Sequence, residues 1–448
     1  MTTARTLARA GLIVSAFFLA SRVLGWIRLV VIANAVEDPA QLDAFFAAFR
    51  IPDLLFQLVA AGALSSALIP VVAALFATRE EARAWRVVST VATIVIAILA
   101  VLTALVLLVA PQLVAFITPG FDAAELAETT ELTRIMVIAP LFLAAGAVAT
   151  SALNANNRFG AAALAPLVYN LAIIGAALWL APTMGTTGLA LGVVIGAMGH
   201  VLVQVPGLVR LGARIRPRVD LRDAQARLAL VLMVPRAIGL GATQLVFVVM
   251  TSLASTLGDE ALPVFNFAFA VLQIPIGVIG VPLGIVLLPS LSREAAAGAT
   301  DGFTRLLTRG VAILVFVMIA IAALGIVVSE DVVQILFGVA DLSESAIEAT
   351  GLALAVFLVG LCAHSVIAVL ARTLVVSVAG GVVAWVVHQA LVGAWGEDPG
   401  FLLVVVRVAV ASLAGGRVIV AGALALRITE LRTIVEVVVD LLRRRGRA

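Results

Sequence analysis

Apolar runs long enough to cross a bilayer recur along almost the whole chain, and this feature excludes most folds. A membrane span needs about 20 mostly apolar residues. About twelve runs approach or exceed that length: 11–36, 54–76, 87–110, 133–153, 161–181, 188–209, 230–254, 262–288, 310–328, 347–370, 374–392 and 402–424. Lipid offers no partner to a bare N–H or C=O, so a spanning segment must be a helix or part of a closed barrel. Runs of this length without strict alternation read as helices. Composition agrees: 63% of the 448 residues are hydrophobic and 12% charged, against about 45–50% and about 25% in soluble domains. The expected fold class is an all-α polytopic membrane protein.

The charges that remain sit in short connections and alternate in sign. The basic set holds Arg5 and Arg9, then Arg79, Arg83 and Arg86, then Arg158, then Arg210 to Arg227, then Arg293, Arg305 and Arg309, and finally Arg443 to Arg447. Between them fall acidic loops at Glu37–Asp43, Asp122–Glu131, Asp259–Glu260, Glu330–Glu348 and Glu397–Asp398. Basic loops stay on the cytoplasmic side, so both termini are expected in the cytoplasm and the number of spans is even. The basic loop 210–229 divides the chain into an N-terminal lobe of six spans, residues 1–209, and a C-terminal lobe from 230. Two bundles with the substrate between them are a common transporter plan. Segments 220–229, 290–309 and 426–447 read as interfacial amphipathic helices.

Several function classes drop out. Cys362 is the lone cysteine, so no disulfide forms within the chain. His200, His364 and His388 are scattered in apolar sequence, whereas a metal site needs clustered ligands; they read as bundle or interface residues. No metal or cofactor is expected. No basic domain lies outside the membrane to bind nucleic acid. The N-terminal apolar run is too long for a signal-peptide core and reads as a retained first helix. Paired intramembrane carboxylates and a Ser/His/Asp set are both missing from the pattern, so an enzyme is not expected.

The intramembrane charges are the informative residues. An Arg at a helix centre costs roughly 2.5–3.5 kcal/mol on insertion scales, so it should face a watery cavity or a partner. Arg22 and Arg28 both fall within the first run, with Gly25 between them. Arg28 can also snorkel outward; Arg22 is about half a bilayer from either end. Arg50 and Asp53 flank Pro52 at the start of the second run, after Asp43. They suit an ordinary charged helix start or the rim of a cavity. Arg236 follows Pro235 and precedes Gly239 and Gly241, which suggests a bent helix beside a polar cavity.

These residues sit in ordered motifs. Ser21-Arg22-Val23-Leu24-Gly25, Arg28, Asp43-Ala44-Phe45-Phe46 and Phe49-Arg50-Ile51-Pro52-Asp53-Leu54-Leu55 are followed by Gly62-Ala63-Leu64-Ser65 and Ile69-Pro70. Leu153-Asn154-Ala155, Arg158-Phe159, Ala165-Pro166, Tyr169-Asn170, Gln273-Ile274-Pro275 and Leu287-Leu288-Pro289-Ser290-Leu291-Ser292-Arg293 continue the series. Together they resemble the MurJ/MviN lipid II flippases of the multidrug/oligosaccharidyl-lipid/polysaccharide exporter superfamily, from residue 1 to about 373.

The resemblance implies two helical lobes around a central cavity, MATE-like in plan. It implies transport of an undecaprenyl-diphosphate-linked peptidoglycan precursor from the inner to the outer leaflet of the bacterial plasma membrane, for cell-wall synthesis. Membrane lipids, and cell-wall synthesis proteins, are the partners it brings with it. Arg22, Arg28, Asp43 and Arg50 match the family's functional charges, and Asp53 and Arg236 join them as candidate substrate contacts.

The chain also departs from the family pattern. Phe56 and Gln57 stand where an Arg pair is usual, Ala61 where Glu is usual, and Ala270 where Arg is usual. After Thr373 the chain runs directly into an apolar segment, as if two helices were lost. This leaves residues 230–373 as a shortened C-terminal lobe, 374–424 as two C-terminal helices and 425–448 as a basic amphipathic tail. Other readings stay open: a flippase for another lipid-linked glycan, a drug or cation exporter of the same fold, and a transport-dead scaffold of cell-wall proteins.

Overall fold

A computed structural model describes the backbone of residues 2–59, 63–280, 294, 300–340, 342–364, 387–395, 403, 405–414 and 417. The described residues are helical, with turns and short extended connections. By packing, the chain divides into two compact units, Met1–Pro263 and Val264–Ala448.

The first unit contains α1 (Thr2–Ala35), α2 (Pro39–Ala48), α3 (Arg50–Val59), α4 (Ala63–Ala77) and α5 (Glu81–Ile117). It continues with α6 (Ala123–Met136), α7 (Ala139–Ala155), α8 (Phe159–Trp179), α9 (Ala181–Leu202), α10 (Val205–Arg210) and α11 (Ala224–Ala254). Among the described residues of the whole chain, 6 helical stretches are long and apolar enough to cross a membrane. The fourth run, which reads as one span, holds α6 and α7: the helical hydrogen-bond pattern is interrupted at Val137 and Ile138 just before Pro140, whose ring lacks the N–H that would continue it. Thr103 Oγ1 donates to the Val137 carbonyl at 3.2 Å, giving that break a partner inside the bundle.

α5 is 37 residues long, roughly 55 Å at 1.5 Å per residue, well beyond the ~30 Å hydrocarbon layer. The extended 213–219 segment lies along its first turns. The Arg216 and Arg218 backbone N–H groups donate to Ser89 Oγ (3.1 Å) and Thr93 Oγ1 (3.0 Å). Arg83 on α5 pairs with Asp223 at 2.9 Å, and Asp223 also caps α11 by accepting from the Gln225 backbone. The Arg83 guanidinium holds the Asp223 carboxyl below the usual carboxylate range. Val109 leaves helical geometry just ahead of Pro111, so α5 bends there.

The tightest helix pair is α8 with α9. Gly188, Gly192 and Gly196 recur every fourth residue along α9. A Cβ at Gly192 would lie 2.2 Å from Ala176 Cβ, and one at Gly196 would lie 2.9 Å from the Tyr169 carbonyl. Small residues at this spacing let membrane helices touch backbone to backbone. The seam sets α8 in place, and the opposite side of α8 packs on α1.

α11 packs on α3, α4 and α5. The seventh run thus sits with the first six in the first unit, although the basic 211–223 connection precedes it. α11 stays helical through Pro235, Gly239 and Gly241. The side chain of Arg236 lies outside the described residues.

The second unit holds most of α12 (Ala261–Pro275), a π turn over Ile276–Gly280, α13 (Thr300–Val327), α14 (Ser329–Phe337) and α15 (Glu344–His364). Phe267 stacks on Phe337 with centroids 4.5 Å apart, and Phe265 meets Phe357 edge-on. Helical turns at 387–395 and at Val405–Ala414 represent the last two runs. The rest of 374–424, the tail 425–448 and most of 281–299 lie outside the described residues.

Candidate functional site

The α1–α8 packing brings one polar side chain against the first run. Asn170 of α8 accepts from Arg28 Nη1 at 3.1 Å through Oδ1, and its Nδ2 donates to the Ser21 carbonyl at 3.4 Å. One amide therefore spans two turns of α1 and holds Arg28 to the inside. Arg28 is a half-buried cation whose hydrogen bond ends on a neutral group. Asp53 and Tyr169 lie within Coulombic reach of it. Arg22 behaves differently: its side chain is exposed on α1.

The second-run charges separate into two levels. Arg50 is buried, donates Nε–H to Thr251 Oγ1 at 2.9 Å, and lies 5.3 Å above the Phe247 ring. Thr251 and Phe247 are four residues apart on α11, so Arg50 fits across one face of that helix. Asp53, one turn along α3, is half-buried and accepts from Gln57 Nε2 at 3.5 Å. Arg50 and Arg28 both lie within its Coulombic reach. The structure thus gathers Arg28, Arg50 and Asp53 into one mixed-charge region lined by Asn170, Gln57 and Thr251.

Asp43 stands apart, toward the acidic-loop end of the unit and outside the 11–36 and 54–76 runs. It is 1% exposed, and Oδ1 accepts from the Leu262 backbone N–H at 2.8 Å. Next to it the α5–α6 turn packs on the end of α11. The Gly120 N–H donates to Ser255 Oγ at 3.3 Å, and a Cβ at Gly120 would lie 2.1 Å from the Ser255 carbonyl oxygen. At this seam Asp43 and Leu262 fasten α2 to the start of α12, and Gly120 and Ser255 fasten the α5–α6 turn to the end of α11.

Burial pushes the Asp43 carboxyl up to about 7, against the opposing pull of the Leu262 N–H. An Asp in an unfolded chain titrates near 3.9. The seated form therefore binds a proton that the released form has lost between roughly pH 4 and 7. The seam is firmest below that window, weakens as pH rises through it, and levels off above. The slope is at most about 1.4 kcal/mol per pH unit. Wild type should lose thermal stability between about pH 5 and 7 relative to Asp43→Asn, whose amide cannot ionise. Parallel pH profiles for the two proteins would contradict the assignment.

Sequence reading selected the charged members of this region but not Asn170, Thr251, Gln57 or Gly120 as their partners. Asn170 stands in the Tyr169-Asn170 motif. Amides and hydroxyls in apolar helices are the signal that marks such partners. Nothing in the spacing points to Gly120. Among the described residues no group of three or more His, Cys, Asp or Glu side chains could hold a metal ion.

Comparison with known proteins gives the family and the fold. The sequence model of the family described as lipid II flippase MurJ matches residues 32–393. A "Probable lipid II flippase MurJ" of Vibrio cholerae is 28% identical over 383 residues, covering 83% of this chain and 73% of the relative. The lipid II flippase MurJ of Burkholderia cenocepacia is 32% identical over 326 residues, covering 71% of this chain and 63% of the relative. A solved lipid II flippase MurJ in an inward closed conformation superposes with a TM-score of 0.66 at 18% identity, over 94% of this chain and 90% of that one. An inward-facing MATE-family multidrug transporter superposes with a TM-score of 0.59 at 16% identity, over 92% and 96% of the two chains.

Proposed function

The chain belongs to the lipid II flippase MurJ family, and from that premise we propose that it moves lipid II from the inner to the outer leaflet of a bacterial plasma membrane for cell-wall synthesis. The cargo pairs a diphosphate and a sugar-peptide head with a long lipid tail. The head requires a polar path, and the tail can stay in lipid. The observation that carries the reading is Arg28: a cation held inside the bundle by a neutral amide. A guanidinium offers five donors in a planar fork that suits phosphate oxygens. Arg28 keeps most of them after bonding Asn170.

Arg50 and Asp53 shape the same region. Arg50 is committed to Thr251 and Phe247, so its main part is to hold α3 on α11 beside the diphosphate path. Asp53 balances the two cations, which keeps the region from binding an anion so tightly that it is not released. Arg22, exposed on α1, meets the cargo's head group earlier on the path. Arg236, on α11 of the first unit, is proposed as a further contact. Asp43 fastens the outer seam rather than touching cargo. Gln57 stands where the family resemblance implies an Arg, and bonds Asp53. The binding charge here is therefore concentrated on fewer arginines. Transport rather than chemistry is the role, and membrane lipids and cell-wall synthesis proteins are the expected neighbours.

The test is complementation. A strain depleted of its own lipid II flippase should grow when this chain is expressed. Failure of a stably inserted protein to support growth would favour another lipid-linked glycan or a scaffolding role.

Orientation follows from the loop charges, with cytoplasmic termini and a cytoplasmic 210–229 loop. Single cysteines at Arg218 and Ala124, after replacement of Cys362, should differ toward an impermeant thiol reagent. Ala124→Cys should label in intact spheroplasts and Arg218→Cys should not. The reverse pattern would invert the topology.

A further inference from the structure

The second unit contains a buried charged cluster that the transport site does not use. Asp331, in the first turn of α14, presents its two carboxylate oxygens to different partners. Oδ1 accepts from Nη2 of Arg407, and Oδ2 meets Nε2 of His388. Asp331 and Arg407 are each 4% exposed. These three residues come from three separate helical segments, α14, 387–395 and Val405–Ala414. Each lies beside an acidic connection, so the cluster belongs to one end of the unit.

The charges do not need the histidine. Arg407 already neutralises Asp331, and a buried ion pair gains no charge balance from a third polar group. The carboxylate takes the Nε2–H tautomer of His388, which leaves a lone pair on Nδ1. Among the described residues, that Nδ1 is buried without a hydrogen-bond partner, as are Nε and Nη1 of Arg407. The His388 side chain is 14% exposed while those of Asp331 and Arg407 are 6% and 5%. It is the most exposed member of the cluster.

We propose that Asp331, His388 and Arg407 form a proton-binding site in the second unit, with Nδ1 of His388 as the acceptor. A proton from water on the acidic-loop side adds to the Nδ1 lone pair. The Nε2–H stays on Asp331, and no other bond forms or breaks. The net charge of the cluster goes from zero to plus one. The carboxylate then lies between two cations, and α14 and the two later helical segments are drawn together more firmly. Deprotonation leaves the Asp331–Arg407 pair and loosens the tie to 387–395.

Among the described residues, the other charges of these elements stand clear of this site. Glu330 beside it on α14, and Glu344 and Glu348 on the neighbouring α15, are exposed. The 387–395 and Val405–Ala414 segments carry no charged or titratable residue besides His388 and Arg407. On α13, which also packs on α14, the charges Asp301, Arg305 and Arg309 lie at the far end, roughly 27 Å or more along the helix.

The test uses the full chain in lipid nanodiscs with 15N-labelled histidine. One of the three imidazoles should change protonation reversibly as the pH is stepped. That signal should be missing from His388→Gln, and Asp331→Asn should move its midpoint by about one pH unit or more. If His388→Gln keeps every titrating signal, or Asp331→Asn leaves the midpoint in place, the proposal is wrong. Should His388→Gln fail to accumulate, His200→Gln and His364→Gln assign the titrating signal by elimination. The measurement needs no lipid II. A titrating His388 in a protein that moves no lipid II would retire the flippase reading and leave the proton site standing.

Discussion

Arg28→Ala should insert and accumulate normally yet lose lipid II binding by at least about 10-fold, and with it translocation. A hydrogen bond to a charged group contributes about 1.5–3 kcal/mol, which converts to that factor or more. Arg28 carries a large share because Arg50 is occupied by Thr251 and Phe247, and because Phe56, Gln57 and Ala270 are not cations. Arg28→Lys should recover only part of the activity. It restores the charge, but a single ammonium cannot hold Asn170 and grip a diphosphate with the same planar fork. Asn170→Ala should resemble a weaker Arg28 variant, since the guanidinium keeps its charge and loses its anchor. Arg86→Ala, exposed at the start of α5, is the control and should change little. Wild-type binding and translocation in Arg28→Ala would remove this residue from the cargo path.

Gly120→Ala should be nearly as damaging by a different route. The added methyl would lie 2.1 Å from the Ser255 carbonyl oxygen and 2.6 Å from Thr256 Cα. Both are backbone atoms and cannot rotate away. Overpacking of this kind costs typically about 1–3 kcal/mol and occasionally more, so the seated seam should lose roughly 5- to 150-fold in population. Its immediate casualties are the Gly120–Ser255 bond and, beside it, the Asp43–Leu262 bond. The expected phenotype is an inserted protein in which the end of α11 has come away from α5. Cysteines at Phe121 and Thr256, in a chain lacking Cys362, should crosslink readily while Gly120 is kept and poorly once Gly120→Ala is added. Equal crosslinking would show that the loop absorbs the methyl.

Much of this molecule was legible in its apolar runs, because lipid forces backbone groups to pair within a helix. The long helices α1, α5, α7, α8, α9 and α11 overlap those runs, while α2 and most of α6 fall between them. The interruption within one of them was not legible. Hydropathy sees an uninterrupted 133–153 run, while the helical hydrogen-bond pattern is interrupted at Val137, whose carbonyl accepts from Thr103 of α5. The α8–α9 seam could have been read from Gly188, Gly192 and Gly196 alone, since that spacing has a direct packing meaning. The charged residues of the candidate region stood out because charge in hydrocarbon is costly. Their partners Asn170 and Thr251 are neutral, 142 and 201 residues away from Arg28 and Arg50 in the chain, and only the fold joins them. Arg22 and Arg28 share one run, yet the helix turns Arg22 outward and Arg28 toward Asn170. His388 read as an isolated bundle residue. Its carboxylate lies 57 residues earlier and the matching arginine 19 residues later, a grouping no local pattern encodes.

The central claim is that this chain carries lipid II through a path that includes Arg28. The most direct measurement reconstitutes the purified full chain in proteoliposomes with lipid II in the inner leaflet and follows its arrival outside with an impermeant head-group reagent. Wild type should expose lipid II well above protein-free vesicles, and Arg28→Ala should fall to that background at equal protein density. A wild-type protein that moves no lipid II, or an Arg28→Ala variant that moves it at the wild-type rate, would contradict the account.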